Sequence, residues 1–226
     1  PGFDEFLPEL GNPLAIERYG VGYKYYPCCR ATHRTLDGVL ELRRQHGFSA
    51  DDIESAETTV GFSASQNLQY PSPENEMQAR FSMPYCVAVA IEAGRVVLSD
   101  FTPAAVGRAK IRKMLPQIKM ITAAPSETDE SLTRRPPAGV KIVLKGGKVL
   151  ETAVQHALGT PHKPMNAEQI SDKFQDCTAG FIGKASVAAA EGILKDFGRV
   201  PDIGGLMKHL TFEATADGER FARRTA

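Results

Sequence analysis

At 226 residues, with 27 basic and 27 acidic side chains, the chain is long enough for one large domain or two small ones and carries no net field. That balance excludes a globally basic binder of nucleic acid or of an anionic membrane, so any anion site must be local. An apolar fraction of 42% is that of an ordinary globular protein, and no apolar run approaches the about 20 residues that a membrane-spanning helix needs.

Residues 1–22 are rich in glycine and proline, show no sustained period and read as an entering loop with one short turn. In "THRTLDGVLELRRQHG", Leu36, Val39 and Leu40 recur at helical spacing and Gly47 is the C-terminal cap. Ala56, Thr58, Val60 and Phe62 then alternate with Ser55, Glu57 and Thr59, which predicts a half-buried strand. "QNLQYPSPENEMQARF" reads as a polar loop. Ser82 and Pro84 announce a helix through Val87, Ala88 and Ile91 that stops at Gly94. Thr102 and Pro103 repeat that signal for a basic helix ending at Pro116. "VKIVLK" and "KVLETAV" flank Gly146-Gly147 and predict a hairpin, because both turn positions require positive φ.

From Asn166 the period is helical again, with Gln169 completing a capping box and Ile170, Phe174, Cys177 and Phe181 on one face. One more short helix follows about Gly198, before a basic end, "ERFARRTA". The predicted class is α+β: a two-layer unit of helices on one face of a small antiparallel sheet, then terminal helices outside that layer.

Four cysteines, Cys28, Cys29, Cys86 and Cys177, form no CxxC pair, and adjacent cysteines grip one zinc poorly. The expectation is therefore no metal and no cofactor, in a reducing, cytoplasmic compartment. His46, His156, His162 and His209 are scattered, which is the pattern of surface or packing histidines.

Two clusters could carry chemistry. Lys24, Cys29, Arg30 and His33 fall where a helix begins near Ala31, and unpaired N–H groups at that end favour anions. A solvated basic stripe is the alternative. In "RFSMPYC", Tyr85 falls in the first turn of the helix capped by Ser82, where a phenol can donate to a developing oxyanion. A tyrosine held only by packing is the alternative there.

The K-x-x-P-x-x-x-x-x-H run from Lys24 to His33, the A-x-F-S-x-P-Y run from Ala79 to Tyr85 and the later Asp100-Phe101-Thr102 together resemble the MmgE/PrpD family. That family includes 2-methylcitrate dehydratases, cis-aconitate decarboxylases and iminodisuccinate epimerases. The resemblance covers about residues 10–200 and corresponds to the C-terminal half of a family member. It implies an entering segment over 1–19 from a preceding helical domain, an α/β lid over 20–160, helices over 161–200 returning to the helical domain, and a tail over 201–226. It also implies a lyase or isomerase that moves a proton beside a carboxylate of a di- or tricarboxylic acid, with dehydration favoured, in a homodimer.

The resemblance assigns active-site roles to Lys24 and Tyr85. It puts Cys29 where members often carry a histidine, leaving His33 as the nearer proton-transfer candidate. Arg30, Cys29 and Ser82 are the expected substrate-binding residues. Because the remaining wall of the site would precede Pro1, this chain by itself is expected to be inactive.

Overall fold

The computed structural model describes residues 7–123 and 136–211. The basic end from Glu219 lies outside the described residues. Two compact units meet in sequence at Met165 and Asn166.

The first unit is built on four strands. In chain order it holds α1 (Ala15–Tyr19), α2 (His33–His46), β1 (Ile53–Val60), α3 (Phe62–Asn67), α4 (Glu76–Arg80), α5 (Met83–Ala93), α6 (Pro103–Val106), α7 (Ala109–Met114), β2 (Ile118–Thr122), β3 (Ala138–Leu144) and β4 (Val149–Val154). The strand order is β2-β1-β3-β4. β1 pairs antiparallel with β3 and β3 antiparallel with β4, whereas β2 runs parallel to β1. The sheet is thus mixed, and the predicted antiparallel part is three of its strands. The hairpin turns at Gly146 (φ 96°) and Gly147 (φ 84°), as the paired glycines require.

One face of the sheet is covered and the other is wet. Ile53, Ala56, Thr58 and Val60 of β1 are buried with Val140 and Ile142 of β3, while Lys141 and Glu151 pair at 3.4 Å across β3 and β4 on the exposed side. α2 lies on the covered face. It comes close because Gly38 has no side chain: a Cβ there would stand 3.0 Å from both Val140 and Thr152. α5 packs on α2 and β2, and every residue from Met83 to Ile91 is buried. Arg43 of α2 donates from Nε to the Ile91 carbonyl at 2.9 Å, satisfying an acceptor near the end of α5.

Three local expectations are corrected. The loop predicted over residues 66–81 holds the end of α3 and all of α4, the latter capped by Asn75 Oδ1, which accepts from the Gln78 N–H at 3.0 Å. Phe62 does not continue the strand's buried face but opens α3, half-exposed. The basic helix after Thr102 is split into α6 and α7, since the backbone leaves the helical path at Arg108 (ψ 119°), just after Gly107.

The second unit holds α8 (Ala167–Thr178), α9 (Lys184–Lys195) and α10 (Gly204–His209). Among its described residues few are buried: Thr178, Val187, Ala190 and Leu206. No helix among the described residues is long and apolar enough to cross a membrane.

Candidate active site

Lys24 stands in an irregular segment that leads, through the bend around Pro27, into a 3-10 turn (Arg30–Thr32) continuous with α2. Its side chain is exposed, and so is that of Arg30. The Arg30 guanidinium folds back over Gly22: a Cβ on that glycine would meet Nη2 at 2.6 Å. Arg30 therefore lies beside the segment that carries Lys24, at a glycine two residues before it in sequence.

The second motif is joined to the first by its main chain. The Cys29 N–H donates to the Arg80 carbonyl at 2.9 Å, at the end of α4 and two residues before Ser82. Behind this seam the side chains are buried. The Cys28 Sγ lies 3.1 Å from Thr32 Oγ1, and Thr32 gives its own hydroxyl hydrogen to the Cys29 carbonyl at 2.8 Å. Cys28 also neighbours Cys86 of α5 and His33 of α2, so the thiol cluster ties both motifs to the core. Burial pushes the wholly enclosed Cys86 thiol well above the ordinary range, which keeps it neutral. All four cysteines are free thiols, and no group of three or more metal-ligating side chains occurs among the described residues.

The six sequence-predicted residues separate into two sets. Lys24 and Arg30 face solvent, with Cys29 half-buried between the motifs. His33, Ser82 and Tyr85 are buried. The His33 ring sits edge-on to Tyr26 at 5.2 Å between centroids, and its Nε2 has no hydrogen-bond partner among the described residues. Ser82 Oγ is used as a helix cap, accepting from the Tyr85 N–H at 3.2 Å.

The Tyr85 hydroxyl donates to the Asp100 carbonyl, and its ring packs on Phe101 at 5.8 Å. Burial raises this phenol to about 12, with Arg108 opposing the rise. Tyr85 therefore links α5 to the Asp100-Phe101-Thr102 segment, and in this arrangement it is a neutral donor already in use. Asp100 is itself held by Arg108, 3.0 Å from its Oδ1.

Sequence reasoning missed Asp37. Its carboxylate is buried, accepting from the Tyr26 hydroxyl (2.8 Å) at Oδ1 and from the Leu158 N–H (2.8 Å) and Lys163 Nζ (3.0 Å) at Oδ2. The only local signal was an acidic residue on the apolar face of a helix.

The MmgE/PrpD C-terminal domain model matches residues 26–196, which contain all the predicted site residues except Lys24. The chain is 22% identical to a cis-aconitate decarboxylase of Mus musculus, over 94% of this chain and 44% of that protein. It is 19% identical to a cis-aconitate decarboxylase of Homo sapiens, over 87% of this chain and 41% of that protein. The chain thus spans less than half the length of these curated relatives. The extent of the domain match establishes the assignment: the chain belongs to the MmgE/PrpD family.

Proposed function

We propose that the full-length protein is a lyase acting on a small di- or tricarboxylate, and that this chain supplies the cationic wall of its site. The observation that carries the reading is the exposed Arg30 guanidinium folded against Gly22, two residues from the exposed Lys24, next to the Cys29–Arg80 seam between the two motifs. Removing or delivering a proton beside a carboxylate builds charge on that carboxylate. A planar guanidinium fork and an ammonium point charge are the groups suited to hold it. Cys29 stands at the seam itself. His33, Ser82 and Tyr85 support the wall from behind, and Tyr85 reaches a substrate only by exchanging its bond to the Asp100 carbonyl.

The relatives named above are decarboxylases, so the initial preference for dehydration gains no support from them. Decarboxylation and dehydration share the carbanion-like intermediate and differ in which bond to carbon breaks. A second reading, a carboxylate-binding module without the reaction, is favoured by one observation: a cysteine stands at position 29, where the family resemblance expects a histidine.

The test is a panel of cis-aconitate, citrate, 2-methylcitrate and smaller dicarboxylates offered to the full-length protein. Carbon dioxide release scores decarboxylation, and new ultraviolet absorbance from a carbon–carbon double bond scores dehydration. In the same protein Lys24→Ala lowers turnover by about a hundredfold, the scale of losing one transition-state donor. Turnover unchanged by Lys24→Ala removes Lys24 from the site. Binding of a panel member without any turnover favours the module.

A further inference from the structure

Lys24 has no regular secondary structure to hold it, yet the chain on either side of it is tied down. On one side the Tyr23 N–H donates to the Gly159 carbonyl at 2.7 Å. On the other, the Tyr26 hydroxyl donates to Asp37 at 2.8 Å. The two ties converge. Gly159 belongs to the loop after β4, and Asp37 grips that loop at two points, the Leu158 N–H at 2.8 Å and the Lys163 ammonium at 3.0 Å. The loop is closed on itself by the Gly159 N–H, which donates to the Lys163 carbonyl at 2.8 Å. A ring therefore runs from Tyr23 to Gly159, Leu158, Asp37 and Tyr26, and Lys24 sits on the short arc between the two tyrosines.

Two features fit this ring to its task. Gly159 has φ +87°, and a Cβ there would stand 2.3 Å from the Tyr23 carbonyl oxygen, so only glycine permits the approach. Asp37 is on α2, the helix packed on the sheet, so the ring is referenced to the rigid part of the first unit. A buried carboxylate with three donors is well satisfied and geometrically demanding.

We propose that Asp37 and Gly159 are positioning residues for Lys24, acting through the ring to fix where its ammonium stands; this rests on the carboxylate-clamp reading of Lys24. A misplacement of about 1 Å in such a clamp costs up to about a hundredfold in rate.

The experiment is a double-mutant cycle in the full-length protein, on the panel member it turns over best. Asp37→Asn keeps the volume but removes the charge that holds the Lys163 ammonium. It also turns one acceptor into a donor, facing either the Tyr26 hydroxyl or the Leu158 and Lys163 donors. It lowers kcat by at least about tenfold with Lys24 present. In the Lys24→Ala background the same change has little further effect, because its route is already cut. Gly159→Ala gives the same pattern by displacing Tyr23. Lys163→Met removes one tie of a half-exposed side chain, so it folds and repeats the pattern at about threefold.

An equal fold-loss in both backgrounds means a role in stability alone and overturns the proposal while leaving the clamp intact. Wild-type kcat in Asp37→Asn or Gly159→Ala overturns it as well. Full activity in Lys24→Ala, or no turnover of any panel member by the wild-type protein, overturns the clamp reading and this proposal with it.

Discussion

α5 and α8 begin alike and end in different surroundings. Each opens on a side-chain cap, Ser82 for the Tyr85 N–H and Asn166 for the Gln169 N–H. Each is of ordinary length. In the first unit the residues from Met83 to Ile91 are buried without exception, whereas in the second Thr178 is the buried residue of α8 and Ile170 is 53% exposed. Caps decide where a helix starts, and the distribution of apolar residues around it decides whether it is enclosed. "MPYCVAVAI" is apolar on all sides and is wrapped by α2, β2 and α7, while α8 offers one stripe and its own unit covers little of it. The first unit carries its own core. The second, by itself, holds a thin one.

The largest test of that contrast is a pair of truncations. Leu36→Ala, in the wholly buried face of α2, should cost about 2–5 kcal/mol in denaturant unfolding of this chain. Ile170→Ala in α8 should cost less than about 0.5 kcal/mol. Comparable losses at the two positions would erase the distinction between the units.

An alkaline titration sharpens it, since all six tyrosines precede Asn166. Tyr26 is raised far above the ordinary phenol range, by burial first and by Asp37 next, and Tyr85 is raised to about 12 by burial. Phenols with raised folded values bind more protons folded than unfolded above pH 10, so stability is full below that pH and falls as pH rises. The slope is about 1.4 kcal/mol per pH unit for each such group. Thermal melts between pH 9 and 12 should show the first unit weakening, with Tyr26→Phe and Tyr85→Phe each flattening the slope. A flat profile in the wild-type chain would contradict the burial of these hydroxyls.

The smallest effect is at the caps. Ser82→Ala and Asn166→Ala should each remove about 1 kcal/mol of helix stability. Hydrogen exchange should show the loss spread over the cooperative first unit for Ser82→Ala. For Asn166→Ala it should be confined to the amides of α8. A global response to Asn166→Ala would show the second unit to be better held than its burial indicates.

Much of this architecture was readable because its signals are local. Ser82 with Pro84, Gly47, and Gly146 with Gly147 each need a particular backbone or cap, and each stands where the pattern placed it. β2 was not readable. "IKMIT" is short, follows a basic helical run, and is a strand because β1 supplies its partner through Ala56–Val60, about 60 residues earlier. α3 and α4 are too short to announce themselves, since a helix of five or six residues exists only by tertiary support.

The site divides in the same way. Motif spacing named Lys24, Arg30, His33, Ser82 and Tyr85, but not that the last three are buried. Asp37 was invisible because two of its partners lie 121 and 126 residues along the chain.

The bond from the Cys29 amide to the Arg80 carbonyl has a consequence for how such a site can diversify. It is made by peptide groups alone, so it does not depend on which side chain position 29 carries. That position is a socket: its location relative to α4 and α5 stays registered while its chemistry is exchanged. Cys29→His should seat in the same place and alter proton chemistry without rebuilding the wall. Proline is the exception. The backbone at Cys29 (φ −58°) would accept its ring, but proline has no N–H to donate, so the socket would come loose from Arg80.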